Sequence, residues 1–442
     1  MKFGWMLVTI MSTLVLRAAQ IGEIRAIMEG RVETGRAIGI VTGTIDAKGR
    51  QIVAAGKVSR DGSQAPDGDT VFEIGSVTKV FTSLILADMI EKGEAKPDDP
   101  VSKFLPATVK VPSRNGRQIT LLDLSMQISG LPRLPDNLKP ADPGNPYVDY
   151  DAAKLYDFLS GYQLKRDPGE KYEYSNLAVG LLGHALALKA GMSYEELLRK
   201  RIFAPLGMTS TSLTLSNEMK KRLAPGYSAS LQPVKNWDFD VLAGCGGIRS
   251  TVNDMLKFLA ANLELTDSPL RNAMRRMRSV DKDTGEPDLK IAMAWHIFTK
   301  FDEQIYWHNG GTYGYRSFVG FNPSTKEGVV ILCNTFVDND DLGRHILESR
   351  YPVVSMQKEV QLDAGILERY VGEYEIIPAF RISVTREGSR LFLQATGQPR
   401  FEIFAKSDTE FFLKVVDAQI TFGKDGLVLH QNGADQKAKR IN

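Results

Sequence analysis

The chain has 442 residues, 43% hydrophobic and 24% charged, with a formal charge of +2 and five scattered histidines. That is a globular composition, too long for one ordinary core, so two units are expected. The near-neutral charge, without a lysine/arginine run, argues against a nucleic-acid partner. Two cysteines outside any Cys-x-x-Cys pair, and no His-Glu-x-x-His stretch, argue against a disulfide framework and a metal centre; neither metal nor cofactor is expected.

Residues 1–19 open with Lys2, an apolar run from Phe3 to Leu16 and then Arg17-Ala18-Ala19. A short basic start, an apolar stretch and small residues read as a secretory signal peptide, so export, to a bacterial periplasm, is expected. About 14 helical residues reach roughly 21 Å, short of the ~30 Å needed to cross a bilayer.

The first folded unit is expected over 20–355. Ala37–Ile45 and Gln51–Lys57 read as a hairpin around Asp46-Ala-Lys-Gly49. Val77–Leu263 reads as mostly helical, with Ser193 and Thr251 as N-caps. Strands return at Ile291–Thr299, Gln304–His308, Arg316–Phe321 and Val329–Asn334. Strands at both ends of a helical middle predict an α+β unit: one antiparallel sheet flanked by helices, beside a helical subdomain. Pro352–Gln361 reads as a linker. Over 362–442 six short strands are expected, Arg381–Thr385, Leu391–Ala395, Phe401–Ala405, Glu410–Val415, Gln419–Phe422 and Leu427–His430, which predict a small all-β barrel or sandwich.

Three short stretches carry chemistry. Ser76-Val-Thr-Lys79 follows a strand-like segment and Gly75, and opens a helix that is apolar on nearly every side. The Ser76 N–H is then an unpaired donor of a helix start, free for an oxyanion, and Lys79 lies one turn on, on the same face, suited to take the serine proton. The same four-residue pattern recurs at Ser279/Lys282 and Ser355/Lys358, where no buried helix follows. Tyr174-Ser-Asn176 precedes a second apolar helix; a tyrosine hydroxyl can relay a proton, and an Asn176 amide can bind a substrate carbonyl while touching Lys79. Asn176 is equally suited to cap that helix. His308-Asn309-Gly310-Gly311 ends a strand; its small residues leave room for substrate backbone alongside, and the Gly311 N–H can supply a second oxyanion donor. His184 reads as a packed core histidine, Cys245 as a small filler in a tight turn, and Trp237, Tyr313 and Tyr315 as candidate pocket walls.

Together with Ser129-Gly-Leu-Pro132, Ala204-Pro-Leu-Gly-Met208 and Gly246-Gly-Ile-Arg-Ser-Thr251, these motifs make residues 22 to 350 resemble the serine β-lactamase and DD-peptidase superfamily, most nearly class C β-lactamases, AmpH-like DD-peptidases and family VIII esterases. The tail, with Tyr370-Val-Gly-Glu-Tyr374, resembles an appended lipocalin-like domain. The resemblance implies the β-lactamase/transpeptidase-like fold and an acyl-enzyme mechanism without cofactor. It makes Ser76 the nucleophile, Lys79 and Tyr174 base and proton relay, Asn176, His308, Asn309, Gly310 and Gly311 substrate contacts, and the N–H groups of Ser76 and Gly311 oxyanion donors. The implied partner is a small molecule: a β-lactam or D-alanyl amide, with a short acyl ester, or a penicillin that acylates without turnover, as alternatives. Oligomeric state is left open.

Two departures stand out. His308 replaces the family's lysine in Lys-Thr-Gly; a histidine with a pKa of about 6.5 there would lose its charge near neutral pH and weaken carboxylate binding as pH rises. Met126-Gln127-Ile128 stands where relatives carry His-Thr, with an effect expected on stability or helix packing rather than chemistry.

Overall fold

The computed structural model describes residues 20–354, 359–431 and 434–441. The signal-peptide segment 1–19 and the Ser355/Lys358 pair lie outside the described residues. Among the described residues no single helix is long and apolar enough to cross a membrane.

The first unit is built on an eight-stranded antiparallel sheet. Its order is Gly49–Gly56, Gly39–Asp46, Glu327–Cys333, Arg316–Asn322, Ile305–Gly311, His296–Phe298, Leu289–Ile291 and Lys282–Asp283. The N-terminal hairpin turns where expected, pairing Asp46 with Gly49, and its inner strand pairs with the last strand, Ile40 opposite Cys333. The first and last parts of this unit thus pair within one sheet, as the α+β reading requires. Helix 20–33 places Ile24 and Met28 on one face, with Leu342 and Ile346 of helix Asp340–Leu347; helix Val252–Asn262 packs on the other. Ser193 and Thr251 cap their helices, accepting from the N–H groups of Glu196 and Asp254.

The expected strand Ile291–Thr299 is instead a tight hairpin, Leu289–Ile291 against His296–Phe298. Ala294 reverses the chain at φ +59 and Ala292 N–H bonds the Trp295 carbonyl at 2.8 Å. The turn is buried, so it shows none of the polar or glycine residues that mark a surface turn. The middle is less helical than its composition suggests: long irregular segments separate helices Thr78–Glu91, Ala152–Gly161, Asn176–Ala190 and Val252–Asn262. At their centre Thr78–Glu91 is buried from Thr78 to Met89, which explains why it is apolar on every side.

The second unit is a closed eight-stranded antiparallel barrel from Gly372–Ile377 to Ala434–Arg440. Two strands exceed the six expected, and they close the barrel by pairing with each other. Ala434–Arg440 hides from a pattern reading because Ala438 alone of its residues is buried, the rest being exposed and mostly charged or polar. The expected strand Glu410–Val415 ends at Phe412. The barrel sits directly on the first unit: Ala229 and Val337 of that unit join the barrel's apolar cluster, and Arg390 Nη2 donates to Ser230 Oγ at 2.9 Å.

Candidate active site

The strand Phe72–Glu73 pairs with Arg249–Ser250 and runs into Gly75, whose φ of +49 starts a tight turn. A Cβ on Gly75 would come within 2.7 Å of Gly311 N, and one on Gly310 within 2.0 Å of the Ile74 carbonyl oxygen. Two backbones therefore touch where side chains are absent, which places the Gly311 N–H beside the Ser76 turn. Ser317 Oγ locks the junction by donating to the Ile74 carbonyl at 2.8 Å. Ser76 follows at the mouth of the buried helix. Lys79, without solvent exposure, donates from Nζ to Ser76 Oγ at 2.9 Å and to the Cys245 carbonyl at 2.7 Å. The tight turn that buries Cys245 is thus what orients Lys79 from behind.

Tyr174 completes the group, its ring centroid 4.8 Å from Lys79 Nζ. Ser175, not Asn176, caps the following helix, accepting from Ala178 N–H at 2.9 Å. Asn176 is brought to the same cleft, but its Nδ2 donates to Tyr147 OH at 3.0 Å, and the Cys245 carbonyl takes the place beside Lys79 that the sequence offered to Asn176. Asn176 Oδ1 is left buried without a hydrogen-bond partner.

Sequence reasoning missed what holds Tyr174. Gln127 is buried at φ +59; its Oε1 accepts from Ser175 N–H at 2.6 Å and its carbonyl from Glu173 N–H at 2.9 Å. The residues on either side of Tyr174 are both tied to this one glutamine. Met126-Gln127-Ile128 therefore holds the tyrosine loop, a structural role as expected but one directed at that loop. The departure from the His-Thr pattern was the signal; its target lay 47 residues away and could not be read.

His308 also differs from expectation. It is fully buried, so it neither meets solvent nor replaces a lysine's charge. Burial, then His296 and Lys79 nearby, hold its pKa well below the ordinary 6.5. Its Nδ1 lies 2.5 Å from the Asn309 carbonyl, an acceptor only, so the proton sits on Nδ1 and Nε2 is an unpartnered buried acceptor. His296, with its ring 5.1 Å away and Nε2 3.0 Å from Tyr172 OH, is lowered by burial, then by Lys79, to about 4. The expected loss of charge at His308 near neutral pH is thereby corrected: burial disfavours the charged ring. Of the cations lining this cleft, Lys235, Arg316, Arg390 and Arg400 are paired with carboxylates, whereas Arg133, exposed and with its guanidinium 5.0 Å from the Tyr174 ring centroid, has no carboxylate partner among the described residues. Its carbonyl accepts Asn176 N–H at 2.9 Å, which fixes its backbone.

Ser76, Tyr174, Asn176, Asn309, Gly310 and Gly311 line one cleft of about 960 Å³ with Arg133, Trp237 and Tyr313. Tyr315 does not wall it: that side chain is buried behind, donating to the Ala224 carbonyl. His184 is half-buried rather than packed in the core, and is held by Tyr156 OH at 2.7 Å, away from the site. No cluster of potential metal ligands occurs among the described residues. Ser279, the decoy serine, sits on the surface bonded to the Arg276 carbonyl.

Comparison with known proteins fits this geometry. Residues 24–349 match the family model described as Beta-lactamase, and residues 356–432 that described as Domain of unknown function (DUF3471). The match to the barrel region names no lipocalin; what the structure gives there is the closed eight-stranded barrel. The chain is 32% identical over 249 residues to the D-alanyl-D-alanine-carboxypeptidase/endopeptidase AmpH of Escherichia coli, covering 55% of this chain and 62% of that protein, just under two thirds of its length. It is 26% identical over 417 residues to penicillin-binding protein 4* of Bacillus subtilis, covering 84% and 88% of the two chains. The solved β-lactamase/D-alanine carboxypeptidase of Yersinia pestis superposes with a TM-score of 0.63 at 29% identity, covering 72% of this chain and 93% of that one.

Proposed function

This chain belongs to the β-lactamase family, and we propose that it is a serine hydrolase acting through an acyl-enzyme at Ser76 on β-lactams or D-alanyl amides. The observation that carries the reading is the 2.9 Å contact between Lys79 Nζ and Ser76 Oγ at the mouth of a buried helix. Ser76 Oγ attacks the substrate carbonyl carbon while Lys79, with Tyr174, takes the hydroxyl proton. The negative oxygen that forms is held by the N–H groups of Ser76 and Gly311. The carbonyl–nitrogen bond then breaks and the nitrogen takes the relayed proton, departing as the amine from a D-alanyl amide or staying tethered in an opened β-lactam ring, and water repeats the sequence on the Ser76 ester to release the acid. Asn176 and the strand end at Asn309–Gly311 hold the substrate. The names of AmpH and penicillin-binding protein 4* support the substrate class.

One observation favours a second reading, hydrolysis of short carboxylic esters with the same residues. The buried, neutral His308 supplies no fixed charge for a substrate carboxylate, which a neutral ester does not need. Intact-mass spectrometry after mixing with a penicillin separates these readings. A transient adduct on Ser76 supports the amide and β-lactam reading. A lasting adduct means a penicillin-binding protein that stalls, and no adduct with retained ester hydrolysis favours the esterase. Export is part of the proposal, since such substrates lie outside the cytoplasm; a mature protein beginning near residue 20 in a periplasmic fraction is the result expected.

A further inference from the structure

The barrel contributes a wall to the catalytic cleft. In the strand Arg390–Ala395, Leu391 and Leu393 belong to the barrel's interior cluster, so by strand alternation Phe392 points out of the barrel. An outward position normally meets water, yet Phe392 is only 9% exposed, and it lines the same cleft as Ser76. Two guanidinium groups lie close to its ring, Arg400 Cζ at 3.9 Å and Arg390 Cζ at 4.9 Å from the centroid. Both are already paired. Arg390 bonds Glu402, the cross-strand neighbour of Phe392, at 2.8 Å and reaches across to Ser230 of the first unit. Arg400 bonds Glu387 and Thr385. The guanidiniums therefore fix the ring rather than offering free charge. From the first unit, the edge-to-face pair Trp237 and Tyr313, 4.7 Å between centroids, lines the same space, and Tyr313 keeps 45% exposure.

We propose that Phe392, with Trp237 and Tyr313, forms an aromatic subsite shared by the two units. It takes an apolar or aromatic group at the end of the substrate far from the bond that Ser76 attacks. The occupant is the substrate itself, because the subsite and the nucleophile share one continuous cleft. The subsite rests on the acyl-enzyme reading above. It makes the barrel a specificity element: small substrates use the Ser76 end alone, and extended ones also use the barrel.

The test compares kcat/KM of the full chain for p-nitrophenyl acetate with that for p-nitrophenyl 4-phenylbutyrate, and with that for acetate esters of phenols lengthened by a phenylpropyl group. The parent is expected to prefer the long member of at least one series, and Phe392→Ala to lower that long-to-short ratio about tenfold. Phe392→Leu, which keeps an apolar side chain at the unit interface, should lie between if the ring itself is read. Ile377→Ser, an exposed barrel position outside the cleft, is expected to leave the ratio where it was. Unchanged ratios in both series for a folded Phe392→Ala overturn the subsite while the acyl-enzyme reading stands. Failure of every ester and of penicillin to acylate Ser76 overturns that reading, and the subsite with it.

Discussion

At one end of the cleft Ser76 is held by backbone against backbone, with Gly75 and Gly310 admitting no Cβ. At the other, Phe392 is held by side chains on the outside of a barrel, against two arginines that are themselves tied down by carboxylates. The first arrangement tolerates almost no change, because any added atom moves the Ser76 and Gly311 backbones apart. The second can be altered one side chain at a time without disturbing the turn at Ser76. On the proposed function, one chain joins a fixed reaction centre to an adjustable wall, and variants at the two ends should fail differently.

The largest effect belongs to the fixed end. Ser76→Ala is expected to lower hydrolysis of every substrate, long or short, by at least about 10⁴-fold, and to abolish the penicillin adduct in intact-mass spectra. A label that moves to Ser279, or an adduct that survives, would break the comparison at its root. The wall variants, by contrast, change a ratio.

The second effect is on stability, and it also belongs to the fixed end. His296 and His308 are buried with folded pKa values below the unfolded value of about 6.5. The unfolded chain therefore binds more protons below that pH, and the stabilising preference for neutral rings is lost as pH falls from about 6.5 towards the folded value, about 4 for His296. Each ring contributes about 1.4 kcal/mol per pH unit in that window. The buried carboxyls of Glu73 and Asp340, raised mainly by burial, act with the opposite sign. The measurement is accordingly a difference: urea unfolding between pH 7 and 4.5 should fall less steeply in His308→Gln than in the parent. Parallel curves would show that His308 already carries its proton in the folded protein.

A third variant tests how the fixed end is held. Gln127→Leu leaves the buried Ser175 N–H without its acceptor, a loss of about 1–3 kcal/mol. Because Tyr174 lies between the two anchored residues, kcat should drop about tenfold, more than KM changes, an amount typical of a displaced proton-transfer group. Gln127→His, whose ring nitrogen can accept the same bond, should recover most of kcat; recovery of stability without kcat would reduce Gln127 to a packing residue.

The sequence made the fixed end readable because its signals are local. A strand, Gly75, Ser76 and a mostly apolar helix lie within 20 residues, and each has a direct physical meaning. The hairpin and the sheet joined from both termini follow from alternation. What stayed hidden depends on distant partners. The Ile291–Thr299 stretch gave no turn signal because its turn is buried. Ala434–Arg440 showed no alternation because only Ala438 faces inward. His308 looked like a titrating replacement for lysine, and only burial under His296 and Tyr174 reveals a neutral acceptor. Phe392 read as one more strand residue, since nothing in its neighbours says which surface the outside of the barrel meets.

The smallest effect lies between the two ends, at Arg133. If His308 cannot carry charge, a carboxylate-bearing substrate needs another cation, and Arg133 stands at the rim with its guanidinium over Tyr174 and no carboxylate partner among the described residues. It is exposed, so water and salt screen it, and its contribution should be about 1 kcal/mol or less. Arg133→Gln is therefore expected to weaken penicillin binding by about three- to fivefold at low salt, with the difference shrinking at higher ionic strength. Hydrolysis of p-nitrophenyl acetate should show no matching rise in KM, because that ester has no carboxylate to lose. Penicillin affinity of an acylation-blocked Ser76→Ala chain should stay flat from about pH 5.5 to 8.5, a range spanning an ordinary histidine pKa. A fall in affinity through neutral pH would return the charge to His308, and an Arg133→Gln protein that binds penicillin like its parent at low salt would leave the backbone at Asn309–Gly311 as the group that holds the carboxylate.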